Sequence, residues 1–233
     1  MKIFIGNSHL DQFRLTSLHG IIICMPGASI KGLLNPASST QLNTKIQTYN
    51  HSDNLFILHL GQVDFEFGYY YKSSLNGTKL DKTAFIENIV KIYETYLSEL
   101  KCDKIVIGLN PTVIKTNLHI YNVNFRDSMC WQNNMRQEIG EYNKYLTYEA
   151  LSHIYNDTLY ERNMFLMEAN NCLKKMCIAR NIPFLDLWPC LFNEETCTIY
   201  NKYSPAVDDH HLVPHNDLQE CLLRFISTVF PGH

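Results

Sequence analysis

The chain of 233 residues sets 20 Lys and Arg against 23 Asp and Glu, a net charge of −3, and only 18% of its residues are charged. That balance supplies no polybasic field for nucleic acid or an anionic membrane, and no apolar run approaches the roughly 20 residues of a membrane span. One domain over 1–233 with a small, weakly charged partner is the reading that remains.

Short apolar runs alternate with helical patterns along the chain, the mark of a parallel sheet with crossover helices. "KIFIG" (2–6), "GIIIC" (20–24), "LFILHLG" (55–61), "KIVIGL" (104–109) and "IPFLDL" (182–187) read as five strands buried on both faces. The opening run lacks the h-region and cleavage site of a signal peptide and reads as the first of these strands. Ile86, Ile89, Val90, Tyr93, Leu97 and Leu100 recur at helical spacing and lead into the fourth strand. A second stripe, Phe165, Ala169, Cys172, Leu173 and Met176, stops at Asn181 and Pro183. The last helix, carrying Leu218, Leu222 and Phe225, follows Asn216 with Gln219 as its capping-box partner. The expected fold class is a three-layer α/β/α sandwich on a parallel five-stranded sheet. The Asn- and Tyr-rich stretch around 110–160, with "SMCWQNNMRQ", reads as a lid or binding insertion.

The eight cysteines form no CxxC pair and fall mostly in apolar patterns, where a reduced thiol behaves as a small hydrophobe. A reducing, cytoplasmic compartment follows as an expectation.

Open parallel sheets bind ligands beyond the carboxyl ends of their strands. Four strand ends here carry polar or glycine residues: "GNSH", "MPGASIKG", "GQVDFE" and "GLNP". Ser8 in the first could be a turn residue, a helix cap or a nucleophile. Near the other end, "SPAVDDHHLVPH" places Asp208 three residues before His211, so that a single turn can set the carboxylate on the ring N–H. The opposite ring nitrogen is then free to take a proton from a serine hydroxyl, a poor nucleophile without such help. Asp209, His210 and His215 offer other pairings. The same cluster would suit zinc or manganese, but no HExxH or other spaced framework supports it, so no metal and no cofactor is expected.

In block order this chain resembles the SGNH hydrolases, the GDSL-type esterases and lipases. "GNSHL" (6–10) matches their first block with Asn7 in place of Asp, "ASIKG" places Gly32 at the second-block glycine, and Asp208-x-x-His211 matches the last block. The resemblance implies a flavodoxin-like fold, Ser8 as nucleophile, His211 as base, Asp208 as its orienting carboxylate, and the backbone N–H groups of Ser8 and Gly32 as oxyanion donors. The third block departs: "GQVD" keeps Gly61 and Asp64 but has Val63 where the family has the donor Asn. Gln62 is the expected substitute, with Asn110 at the next strand end as another; Asp64 and Asn110 are also expected at the substrate. Similar third blocks occur in a polysaccharide-related branch of the family. The function implied is hydrolysis of small acyl esters, foremost O-acetyl groups on a carbohydrate, with no nucleic-acid or membrane partner. The rivals are an O-acyltransferase with the same triad and a catalytically weak carbohydrate-binding protein. His9 reads as structural or supporting, and the aromatic run 65–72 as core or as a wall of the site.

Overall fold

A computed structural model describes residues 1–15, 19–127, 146–207 and 209–232. Five parallel strands, β1 (Lys2–Gly6), β2 (Ile21–Cys24), β3 (Leu55–His59), β4 (Asp103–Ile107) and β5 (Phe184–Leu185), form one sheet in the order β2-β1-β3-β4-β5. Register sets Gly6 opposite both Cys24 and His59, so the exits of β1, β2 and β3 lie side by side. The chain winds outward in both directions from β1 and β3, and the crevice at such a reversal is where this topology places its ligands.

Alternation along the strands separates two cores. Ile3, Ile5, Phe56, Leu58 and Val106 pack beneath the helices of one face, while Phe4, Leu55, Ile57, Ile105 and Ile107 face the other. On the first face lie α1 (Ile30–Leu33), α2 (Leu42–Gln47), α3 (Tyr69–Asn76), α4 (Lys82–Glu99), α5 (Asn117–Tyr121), α6 (Tyr148–Leu151) and α7 (Leu159–Ala179). α4 starts at the cap Asp81, whose side chain accepts from the Ala84 N–H, and buries Ile86, Ile89, Tyr93 and Leu97. α7 opens with a reciprocal capping box between Thr158 and Glu161 and ends before Asn181, which takes the left-handed φ of 54°. After α8 (Trp188–Leu191), the second face is closed by α9 (Asn216–Val229), with Leu218, Leu222 and Ile226 on the sheet. Its cap is His215, whose ring accepts from the Asp217 N–H, rather than Asn216; the Gln219 amide instead donates to the Arg14 carbonyl.

The aromatic run 65–72 proves to be mainly core: Phe65, Phe67, Tyr69 and Tyr70 are buried, across a π-helical segment (Asp64–Gly68) that leads into α3. Of the stretch around 110–160, α5, a π-helical segment (Asn122–Asp127) and α6 are described; "SMCWQNNMRQ" lies outside the described residues. No described helix is long and apolar enough to cross a membrane.

Candidate active site

Ser8 stands one turn beyond β1, the first residue of a 3-10 helix (Ser8–Phe13). Gly6 is required there, because a Cβ would meet the His59 carbonyl oxygen at 2.5 Å. Asn7 caps the helix: its Oδ1 accepts from the His9 N–H at 3.0 Å and its Nδ2 donates to the Ala28 carbonyl at 3.4 Å. The second bond is one that the aspartate usual at this place could not make. As first residue of the helix, Ser8 carries an N–H with no intrahelical acceptor.

His211 reaches Ser8 from the far end of the chain. Its Nε2 lies 2.7 Å from Ser8 Oγ and its Nδ1 2.8 Å from Asp209 Oδ1. The same Asp209 oxygen accepts the His211 backbone N–H at 3.1 Å. A carboxylate accepts only, so Nδ1 carries the proton and Nε2 offers its lone pair to the serine hydroxyl. Burial works against the charge on Asp209, but the His211 N–H groups outweigh it and hold the carboxyl below its usual range. The carboxylate on His211 is thus the residue two before it, where the sequence spacing favoured Asp208. The reason is local: residues 209–215 are irregular, and an Asx-type turn brings i and i+2 together, whereas i and i+3 meet on a helical turn. Asp208 itself lies outside the described residues.

The expected oxyanion and substrate residues are engaged in hydrogen bonds within the protein. The Gly32 N–H is directed at Ser29, with the carbonyl at 3.2 Å and Oγ at 3.1 Å, within the cap of α1. Gln62 exchanges hydrogen bonds with the Asn110 backbone, donating from Nε2 to the carbonyl at 3.2 Å and accepting its N–H at 2.9 Å. The Asn110 side chain pairs with Gln12, to which its Nδ2 donates at 2.8 Å. Asp64 accepts the N–H groups of Ile30 at 2.7 Å and Lys31 at 3.2 Å, so its carboxylate pins the start of α1. Burial nevertheless pushes its pKa up to about 6, against those backbone bonds. Both Asp64 and Asn110 are buried and positioned to hold the loops together. Gly61, at φ 107°, makes the turn between β3 and this segment, with no room for a side chain beside Leu109 and Ile30.

Two features escaped the sequence reading. Asn163 and Asn170, two turns apart on α7, accept the N–H groups of Thr112 and Leu109 at 2.8 Å each and fix the loop that carries Asn110. A histidine cluster surrounds the pair of Ser8 and His211: ring centroids lie 4.9 Å apart for His9 and His211, 3.9 Å for His210 and His211, and 5.0 Å for Phe67 and His210. Burial, reinforced by the neighbouring rings, holds His9 well below the ordinary histidine range; burial and then His211 lower His210 to about 4. These rings are neutral at pH 7. Nothing in the local sequence around His9 announces a partner near the opposite end of the chain.

Glu66 lies beneath the cluster, with Oε2 3.7 Å from His9 Nε2. Burial pushes it up to about 8, although Gln62, Thr112 and the Arg162 charge favour ionisation, so this contact joins a carboxylic acid to a neutral imidazole rather than two ions. Between about 4.5 and about 8 the folded chain keeps a proton that the unfolded chain has lost, so stability falls as pH rises through that window. From pH 7 to 8, where unfolded histidines are mostly neutral, loss of this proton lowers stability by at most about 1 kcal/mol. Urea unfolding at the two pH values should show this loss in the wild type and its near absence in Glu66→Gln.

A surface hollow of about 970 Å³ bounded by Met1, Asn54 and Lys101 lies at the amino ends of the strands, away from Ser8. At the carboxyl ends, a serine hydroxyl, an oriented imidazole and a carboxylate form one hydrogen-bonded row across the crevice between β1 and β3. That arrangement can deprotonate the serine as it attacks a carbonyl.

The fold is that of the SGNH hydrolases. Over 98% of the chain it matches a GDSL-like lipase from Bacteroides thetaiotaomicron, covering 86% of that structure at a TM-score of 0.52 and 14% identity. A protein classed as an acylhydrolase, from Bacteroides fragilis, gives 0.53 at 13% identity over 98% of this chain and 85% of the other. One classed as an SGNH hydrolase, from Slackia heliotrinireducens, gives 0.51 at 11% over 97% of each. No protein-family model and no curated protein matches the chain.

Proposed function

We propose that the protein is a serine esterase acting on small acyl esters, with O-acetyl groups on a carbohydrate as the substrate class. The observation that carries the reading is the row Ser8 Oγ, His211, Asp209, with contacts of 2.7 and 2.8 Å. Ser8 attacks the ester carbonyl while His211 Nε2 takes its proton, Asp209 stabilises the imidazolium, and the proton passes to the leaving alcohol. Water, activated by the same histidine, then releases the acid from the acyl-enzyme. The reduced thiols among the described cysteines suit a cytoplasmic setting. The carbohydrate part rests on the third block, "GQVD", and its similarity to the polysaccharide-related branch.

The oxyanion hole is the weak part of this machinery. The Ser8 N–H has no acceptor within its helix, whereas Gly32 and Gln62 must give up Ser29 and Asn110 to join it. One missing donor costs about 10²–10³ in kcat. Val63→Asn, which restores the family's third-block amide, should therefore raise kcat toward small acetyl esters, by up to about 100-fold. Steady-state kinetics on a chromogenic acetate checks this; an unchanged kcat would show that another group already fills the place.

The substrate class is tested by incubating the protein with O-acetylated oligosaccharides carrying labelled acetyl groups, with and without sugar acceptors. Free labelled acetate in both cases is the expected result. Label that appears only on the acceptor would replace hydrolysis with acyl transfer.

A further inference from the structure

We propose that His9, His210 and His211 form a binding site for a divalent transition-metal ion, zinc foremost, whose occupation switches the Ser8 centre off. The regulatory half rests on the reading of Ser8 and His211 as the reacting pair; the binding half stands by itself.

The three imidazoles offer ligand atoms that all lie within 4.8 Å of one another. In a tetrahedral zinc site with Zn–N distances of about 2.0–2.1 Å the ligating nitrogens are about 3.3 Å apart, so a contraction of about 1.5 Å, within the reach of side-chain torsions, completes the set. Imidazole suits zinc and its transition-metal neighbours.

A second observation points the same way. His9 is 2% exposed, yet neither of its ring nitrogens has a hydrogen-bond partner. Buried polar groups without partners are costly and uncommon, and a metal bond would satisfy one of these nitrogens. The other has an acceptor at hand. Glu66, whose own oxygens make no hydrogen bond of normal geometry, stands 3.7 Å from His9 Nε2. Its carboxyl oxygen stands where the acceptor that supports a metal-bound histidine is usually found. The remaining rings are held in the same manner. His210 Nδ1 lies 3.4 Å from His119 Nε2, and His211 Nδ1 lies 2.8 Å from Asp209, which leaves each ring an outer nitrogen. Three histidines leave a fourth position for water or an anion.

Occupation and catalysis exclude each other for a plain reason. His211 Nε2 has one lone pair, and the Ser8 hydroxyl holds it at 2.7 Å. A metal ion that takes this lone pair leaves no base for the serine. The ion is thus a reversible inhibitor that competes with the hydroxyl, and no bond is made or broken in the substrate.

The test is a calorimetric titration of the untagged full chain with zinc chloride alone, beside Ser8→Ala, His210→Ala and His9→Gln. One zinc per chain is expected in the wild type. Binding should be at least tenfold weaker in His210→Ala and His9→Gln, and at least as tight in Ser8→Ala, which lacks the competing hydroxyl. In parallel, hydrolysis of a chromogenic acetate should fall as zinc is bound and return with EDTA. His210→Ala should need at least tenfold more zinc for half-inhibition of whatever hydrolysis it retains. Absence of stoichiometric binding, or equal affinity in the wild type and the less deeply buried His210→Ala, overturns the site even if the buried His9→Gln fails to fold. The two readings fail separately. Hydrolysis indifferent to bound zinc refutes the regulation and leaves the esterase reading intact, whereas zinc bound to a chain that never hydrolyses refutes the esterase and the regulation but supports the binding site.

Discussion

Ser8→Ala and His211→Ala should each lower kcat toward a small acetyl ester by about 10⁴-fold or more, with KM moving only a few-fold. On the proposed mechanism the first variant lacks its nucleophile, and in the second the hydroxyl keeps its proton. Because the two act as one unit through the 2.7 Å contact, the double variant should be scarcely worse than either single one. Steady-state kinetics with circular dichroism as a check on folding reads both. Two losses that multiply would show that Ser8 and His211 work apart.

The second large effect separates two neighbouring carboxylates. Asp209→Asn should reduce kcat by about 10²–10⁴-fold, because an amide NH₂ facing Nδ1 favours the tautomer in which Nε2 carries the proton and cannot accept one from Ser8. Asp208→Asn should change kcat by less than about tenfold. The comparison is a direct test of the turn in which Asp209 accepts both the backbone and the ring N–H of His211. A larger loss from Asp208 than from Asp209 would restore the sequence spacing as the guide.

That contrast also marks the limit of what the sequence discloses. The sheet was legible because both faces of its strands are covered: "KIFIG" is β1 to the residue, and the apolar stripes of α4 and α7 give those helices by period alone. The approach of His211 to Ser8 is the contact that the resemblance in block order led one to expect. What the sequence left open depended on side chains choosing among close alternatives. Asp208 and Asp209 are adjacent, and it is the turn from Asp209 to His211 that sets the Asp209 carboxylate on the ring. Gly32 sits in the expected segment, but Ser29 as a cap directs its N–H elsewhere. Gln62, Asp64 and Asn110 read as donors or substrate contacts because they are polar at strand ends; in the fold they are buried, Gln62 and Asp64 bond the backbone of neighbouring loops, and the Asn110 side chain pairs with that of Gln12. Asn163 and Asn170 were hidden in a helix judged by its apolar stripe. The histidine cluster unites positions from both ends of the chain, a relation that no local pattern carries.

The central claim, that Ser8 is an activated nucleophile, is tested most directly by intact mass after exposure to a fluorophosphonate probe. Attack of Ser8 Oγ on phosphorus with loss of fluoride should give one adduct per chain in the wild type and none in Ser8→Ala. A folded wild-type chain that stays unmodified, or an adduct that persists in Ser8→Ala, would contradict the account.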